Sequence, residues 1–261
     1  MTDPFQPAPP APRPPLWLTA LATLTGNLFL LVGSAILAIV TILVSWIPPR
    51  GILAFAVMRI WANGVLAASL VRVEVHCSPE LEPGKSYVFL ANHQSLFDIP
   101  VLLATSPGQI RMMAKRALFQ IPIFGWALKV GGFISVDRAD RSTATQSFSL
   151  AFSRLREGTS ILLFPEGTRS LDDTLLPFQR GGFLLAMKSG LPIVPVGIRG
   201  SRAVQRRGSF AIHPGTVAVT YGAPIDPAAY GMRRKRELIA EVRRSIAGPA
   251  GLRVGGEGED A

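Results

Sequence analysis

No charged residue occurs between Arg13 and Arg50, and from Gly26 to Ile47 the chain is almost wholly apolar. About 20 apolar residues in a helix are enough to cross the hydrocarbon core of a bilayer. A run of this kind must be buried or must meet lipid. A cleaved signal sequence has an apolar stretch of roughly 7–15 residues and a small-residue cleavage site. This run is longer and has no clean site, so a retained membrane anchor is expected. Pro48-Pro49-Arg50-Gly51 ends the helix. A second apolar stretch, Ile52 to Leu70, carries Arg59 and Asn63. An arginine at mid-bilayer costs at least ~2.5 kcal/mol. That stretch is therefore expected to be re-entrant or interfacial, with Arg59 reaching back to headgroups and Trp46 and Trp61 near the interface.

The charge balance narrows the partners. A net charge of +10 calls for an anionic one. Nucleic acid and an anionic membrane surface both qualify, but a mean hydropathy of +0.33 favours the membrane. The basic residues also lack interleaved aromatics and no recognition motif is present, so no nucleic-acid partner is expected. Basic residues after the anchor favour the cytoplasmic side of an inner membrane for the rest of the chain. Cys77 is the only cysteine, which excludes an intrachain disulfide framework. It is expected to be a small packing residue. The only histidines are His76, His93 and His213, so no zinc-type Cys/His spacing exists and no metal is expected.

From Val71 the texture changes. Val71 to Val75 alternates like a half-exposed strand, and Tyr87 to Ala91 reads as a buried one. Strands are also expected at Ile110–Met113, Phe133–Val136, Ser160–Phe164, Ile193–Ile198 and Thr216–Thr220. Helices are expected at Pro100–Ala104, Thr143–Arg156, Gly182–Ser189 and Met232–Ala247. The last has Leu238, Ile239, Val242 and Ile246 on one face, with Arg243 and other basic residues elsewhere. Alternation of this kind implies an α/β fold: a mixed, mostly parallel sheet flanked by helices, preceded by an N-terminal hydrophobic membrane-anchoring helical segment. The expected divisions are a disordered Pro-rich arm (1–15), membrane-anchoring helices (16–70), the main domain (71–247) and a disordered tail (248–261).

Two signatures follow predicted strands, and ligands in such sheets sit off the carboxyl ends of strands. The first is Asn92-His93-Gln94-Ser95-Leu96-Phe97-Asp98. A neutral histidine can take a proton from a hydroxyl near pH 7 if a partner holds its other ring nitrogen. On a continuous helix, residues five apart diverge by about 140°. The pair meets only if His93 lies in the strand-to-helix turn and Asp98 in the first helical turn. The second signature is Phe164-Pro165-Glu166-Gly167-Thr168-Arg169-Ser170. Gly167 permits a close backbone approach, and the Arg169 fork matches two phosphate oxygens. Glu166 could bind a substrate hydroxyl or steady Arg169. Lys115, Arg116, Arg138 and Arg180 could add to an anionic pocket. Each motif alone is unspecific: the first also reads as a capping histidine, the second as an ordinary turn.

Together, in order, the residues resemble the glycerolipid acyltransferase family, of the 1-acylglycerol-3-phosphate (lysophosphatidic acid) acyltransferase type. His93 and Asp98 match its His-x4-Asp motif. Gly132 to Arg138 is similar to its second block, Phe164 to Ser170 matches the third, and Leu191 to Val196 matches the fourth. Lys115 looks like the family's phosphate-binding lysine. Arg180, where a lysine is common, and Ser135, where an apolar residue is common, depart from the pattern. The resemblance implies catalysis by His93 and Asp98, and substrate binding by Lys115, Arg138, Glu166, Gly167, Thr168 and Arg169. The acyl group would pass from acyl-CoA or acyl-ACP, a co-substrate with no further cofactor, to the sn-2 hydroxyl of a lysophospholipid. Another lyso-lipid acceptor, such as lyso-ornithine lipid, is the alternative. Backbone N–H groups just after His93 are the expected oxyanion stabilisers.

Overall fold

The structure is a computed structural model, and it describes residues 14–47, 51–136, 141–231 and 233–255. A seven-stranded sheet forms the centre. Its strands are β1 (Val71–Cys77), β2 (Val88–Ala91), β3 (Ile110–Lys115), β4 (Ile134–Val136), β5 (Ser160–Leu163), β7 (Ile193–Arg199) and β8 (Gly215–Tyr221), with β6 (Thr174–Leu175) outside it. The spatial order is β1-β8-β7-β2-β5-β3-β4. Every neighbouring pair is parallel except β7 with β8. All four residues of β2 are buried, as a central parallel strand covered on both faces requires. The outer strand β1 alternates only at its start, where Val71 is buried and Val73 half-buried, and is exposed from Glu74 to Cys77.

Helices cover both faces of the sheet. They are α1 (Leu16–Leu28), α2 (Ser34–Val44), α3 (Ile52–Ala68), α4 (Asp98–Thr105), α5 (Phe124–Val130), α6 (Arg141–Arg156), α7 (Gly181–Ser189), the short α8 (Ser201–Val204) and α9 (Lys235–Ala250). One buried cluster joins α3 and α4 to one face of the sheet, through Phe55, Val65, Val101 and Phe89. The other joins α7 and α9 to the opposite face, through Phe183, Leu238, Val242 and Val88.

A π-helical turn at Phe29–Gly33 links α1 and α2 into one helix, Leu16–Val44, long and apolar enough to cross a membrane. It packs along the domain. Thr23 Oγ1 donates to Ile212 O and accepts from Ile212 N, at 3.2 and 3.0 Å. Further along, α2 packs against α3 and α5. The Phe29 ring lies so close to Gly64 of α3 that a Cβ there would sit 2.2 Å from it. Trp61 Nε1 donates to Ser34 Oγ at 2.8 Å. The other side of the helix is bare: Leu16, Trp17, Leu24, Leu31, Leu43 and Trp46 are 64–89% exposed. An apolar surface of this extent marks a contact with lipid or protein.

Four expectations are corrected. The stretch Ile52 to Leu70 forms a helix that packs one face into the domain core and leaves Ile52, Leu53 and Ile60 exposed. Its Ala54, Phe55, Val57, Met58, Ala62, Val65 and Leu66 are buried. Arg59 points to protein, where its Nη2 donates to Ala104 O at 3.0 Å near the carboxyl end of α4; a cation there complements the helix dipole. The division at Val71 thus falls inside packed structure. Of the disordered tail expected from Gly248, the first residues are structured, since α9 runs to Ala250 and β9 (Arg253–Val254) pairs with β6; residues 256–261, and residues 1–13 of the expected arm, lie outside the described residues. Arg243, expected on the polar face of the last helix, is 4% exposed and lies over the Phe178 ring. Cys77 is exposed at the end of β1 instead of packed.

Candidate active site

Adjacent parallel strands bring the two signatures together. His93 lies two residues beyond β2, and Phe164 directly follows β5. Both loops therefore leave the same edge of the sheet, side by side. Asn92 extends the ladder past the end of β2 with its side chain: Nδ2 donates to Ile198 O at 2.9 Å and Oδ1 accepts from Ile198 N at 2.7 Å. Three further bonds stitch the loops to each other. Ser170 N donates to His93 O at 2.8 Å, Gln94 Nε2 to Asp172 O at 2.9 Å, and His93 N to Glu166 Oε1 at 2.7 Å.

His93 occupies the turn between β2 and α4, and Asp98 is the first residue of α4. The turn closes the five-residue gap that a plain helix would open. His93 Nδ1 lies 2.7 Å from Asp98 Oδ2. The same oxygen accepts from Gln94 N at 2.8 Å and Ser95 N at 2.9 Å, and the carboxylate is fully buried. Donation from Nδ1 leaves Nε2 as the bare, accepting nitrogen. The imidazole stacks on the Phe164 ring at 4.0 Å, which fixes its plane. A neutral histidine held in this way has the geometry that a general base needs, with Nε2 free to accept a proton.

His93 lines a cavity of about 1470 Å³. Typical ligand pockets hold about 300–1,000 Å³, so this one has room for more than one lipid-sized chain. Its polar part is formed by His93 and Thr168 with the cations Lys115, Arg116, Arg169 and Arg207. Its apolar part runs between Leu30 and Leu37 of the long helix, Met58, Trp61 and Val65 of α3, and Leu128 of α5. Lys115 enters from the end of β3, next to β5. Gly167, with φ +76°, makes the turn that carries Thr168 and Arg169 to the wall. Burial, and the nearby Arg207, lower the pKa of the Arg169 guanidinium.

Glu166 takes a different place from the one expected. It is 5% exposed and does not line the cavity. Oε1 accepts from His93 N and Oε2 from Leu176 N at 2.9 Å, so it ties the second loop to the backbone of His93 instead of facing the cavity. Burial pushes its carboxyl up to about 7 against the pull of those two N–H donors. The N–H groups of Gln94 and Ser95 are likewise committed to Asp98, so they are not the oxyanion donors expected after His93. Arg138 lies outside the described residues, and Arg180 is exposed and off the cavity wall. The sequence reading missed Arg207 and Gln205, which reach the cavity from the loop after α8; only the tertiary fold brings them there.

A buried histidine–aspartate pair on a mixed sheet, opening on a basic and apolar cavity, defines the chain's family. It belongs to the acyltransferase family, whose model matches residues 72–199. The 1-acyl-sn-glycerol-3-phosphate acyltransferase of Escherichia coli K12 is 32% identical over 174 residues, 66% of this chain and 70% of that protein. The chloroplastic enzyme BAT2 of Brassica napus, of the same name, is 35% identical over 162 residues, 61% of this chain. The chain spans less than half the length of that plant relative, 45%. Among solved structures, the 1-acyl-sn-glycerophosphate (LPA) acyltransferase PlsC of Thermotoga maritima superposes with a TM-score of 0.76 at 25% identity, covering 89% of this chain and 95% of that one.

Proposed function

We propose that the chain transfers a fatty acyl group from a thioester carrier, acyl-CoA or acyl-ACP, to the sn-2 hydroxyl of 1-acylglycerol-3-phosphate, giving phosphatidic acid. The observation that carries this reading is the His93–Asp98 pair at 2.7 Å, opening on a cavity shared with Lys115 and Arg169. His93 Nε2 takes the proton of the sn-2 hydroxyl as its oxygen attacks the thioester carbonyl. Asp98 stabilises the imidazolium that forms. The tetrahedral intermediate collapses, the C–S bond breaks, and the imidazolium returns the proton to the departing thiolate. The products are a new ester and the free thiol. No enzyme nucleophile is needed, and no cofactor beyond the carrier enters the sequence.

Lys115 and Arg169, with Arg138, hold the acceptor phosphate, and Gly167 and Thr168 shape the wall beside the glycerol. The apolar part of the cavity receives acyl chain. The bare face of the long helix rests in the membrane, which gives the pocket access to lipid acceptors. The net charge of +10 draws the domain to anionic headgroups on the cytoplasmic side.

A panel of lyso-acceptors with one acyl-CoA tests this reading. Lysophosphatidate is expected to be the preferred acceptor, and Arg169→Ala to raise its KM by one to two orders of magnitude, as loss of a charge-assisted bond does. Acylation confined to lyso-ornithine lipid would refute the acceptor assignment, and an unchanged KM would refute the role of Arg169.

A further inference from the structure

The cavity has a second arginine that no sequence motif marks. Arg207 lies in the loop between α8 and β8 and reaches across to the second signature. Its Nη1 is 3.4 Å from Thr168 Oγ1 and 3.3 Å from Arg169 O. It lines the cavity beside Arg169. Two guanidinium groups on one cavity wall repel, and Arg207 contributes to the lowered pKa of Arg169. Neither forms a carboxylate ion pair among the described residues. An anion between them would relieve that repulsion.

Other observations show that the loop is held at the site. Gln205 is 5% exposed and lines the cavity, and its buried Oε1 has no hydrogen-bond partner among the described residues. Its backbone carbonyl accepts from Ser95 Oγ at 2.8 Å, which fixes the root of the loop to the His93 turn. The far end is fixed to the long helix by Asn27 Nδ2, which donates to Phe210 O at 2.9 Å, and by the Thr23–Ile212 pair. Phe210, whose carbonyl Asn27 holds, is itself 84% exposed. Arg207, three residues earlier, thus stands on a loop tied at one end to the His93 turn and at the other to the long apolar helix.

The geometry points to Arg207 as the second arm of a two-arginine clamp that recognises a terminal phosphomonoester on the acceptor. This rests on the acyl-transfer reading above. A phosphomonoester carries up to two negative charges and three acceptor oxygens, enough for two guanidinium groups. A phosphodiester or an uncharged headgroup offers less. Arg207 is thus a specificity-determining residue.

The phosphates of the CoA carrier are the other source of the same chemistry, so the test has two arms. Purified full-length protein is assayed with lysophosphatidate or monoacylglycerol as acceptor, and with acyl-CoA or the phosphate-free acyl-pantetheine as donor. Arg207→Gln is expected to raise the KM for lysophosphatidate roughly tenfold to hundredfold, with kcat much less affected. The preference for lysophosphatidate over monoacylglycerol falls by a similar factor, and Arg207→Lys restores part of it. Arg207 and Arg206 are both exposed, but only Arg207 lines the cavity, so Arg206→Gln, the same charge change, keeps the wild-type preference. A raised KM for acyl-CoA but not for acyl-pantetheine, with the acceptor KM unchanged, would assign Arg207 to the donor and overturn the proposal. Unchanged constants on both arms would reduce it to a surface charge. If the wild-type protein itself shows no preference for the phosphorylated acceptor, the acyl-acceptor reading falls first; if that preference exists and survives in Arg207→Gln, only the clamp falls.

Discussion

His93→Ala is expected to lower acyl transfer by roughly 10²–10⁴-fold, the range of general-base catalysis, while the protein keeps its fold and its affinity for lipid. The imidazole side chain is 15% exposed, and its structural contacts are the Phe164 stack and the Asp98 bond. Asp98→Asn separates charge from geometry. The amide oxygen can take the place of Oδ2 and still accept from Gln94 N, Ser95 N and His93 Nδ1. What it lacks is the negative charge that stabilises the imidazolium. The rate should fall nearly as far as in His93→Ala, with thermal stability reduced far less than by Asp98→Ala, which strips three donors of their acceptor. A lipid-binding scaffold without catalysis would be indifferent to His93→Ala, so wild-type levels of product in that variant would sink the catalytic assignment.

Glu166→Gln carries the second large effect, although Glu166 never reaches the cavity. Both of its oxygens accept from backbone N–H groups. A glutamine amide can satisfy one of them, and its NH2 group then faces the other donor. A buried donor left without a partner costs about 1–3 kcal/mol. One of the two is the N–H of His93, so the imidazole loses its seat, and a misplacement of ~1 Å can cost about 10²-fold in rate. We therefore expect kcat to fall by roughly two orders of magnitude with the KM values less affected. The wild-type residue also leaves a pH signature. Its carboxyl titrates near 7 in the folded chain because of burial, against an ordinary value of 4.5. Between those values the folded chain keeps a proton that the unfolded chain has released, so this group lowers stability as pH rises from about 4.5 to 7 and contributes no slope above. Melting temperature measured from pH 5 to 8 should show that declining component in the wild type and lose it in Glu166→Gln. Identical slopes would contradict the burial argument.

The first signature was legible because its spacing allows only one productive geometry: the pair meets across a strand-to-helix turn, and the turn is there. The parallel core was legible too, since strands such as Val88–Ala91 are continuous apolar runs between turn residues. Three things were not legible, each for a physical reason. The apolar stripe of Ile52–Ala68 has the same composition whether it meets lipid or the face of α4, and only the fold decides between them. Glu166 sits in a motif beside a glycine turn and reads as a ligand-facing carboxylate. Its actual partners, the N–H groups of His93 and Leu176, lie 73 and 10 residues away in the chain. Arg207 meets Thr168 across 39 residues of sequence, a contact that no local pattern encodes. The His93–Asp98 pair was thus visible in one short segment, while the residues that seat it and line the cavity beside it became visible only in three dimensions.

The most direct measurement is a rapid-mix assay of free thiol with enzyme and acyl-CoA at comparable concentrations, with and without lysophosphatidate. If the His93–Asp98 pair activates the lipid hydroxyl for direct attack, thiol appears only once the acceptor is added, and the protein carries no acyl group at any time. A burst of thiol equal to the enzyme concentration in the absence of acceptor, with label retained on the denatured protein, would contradict it.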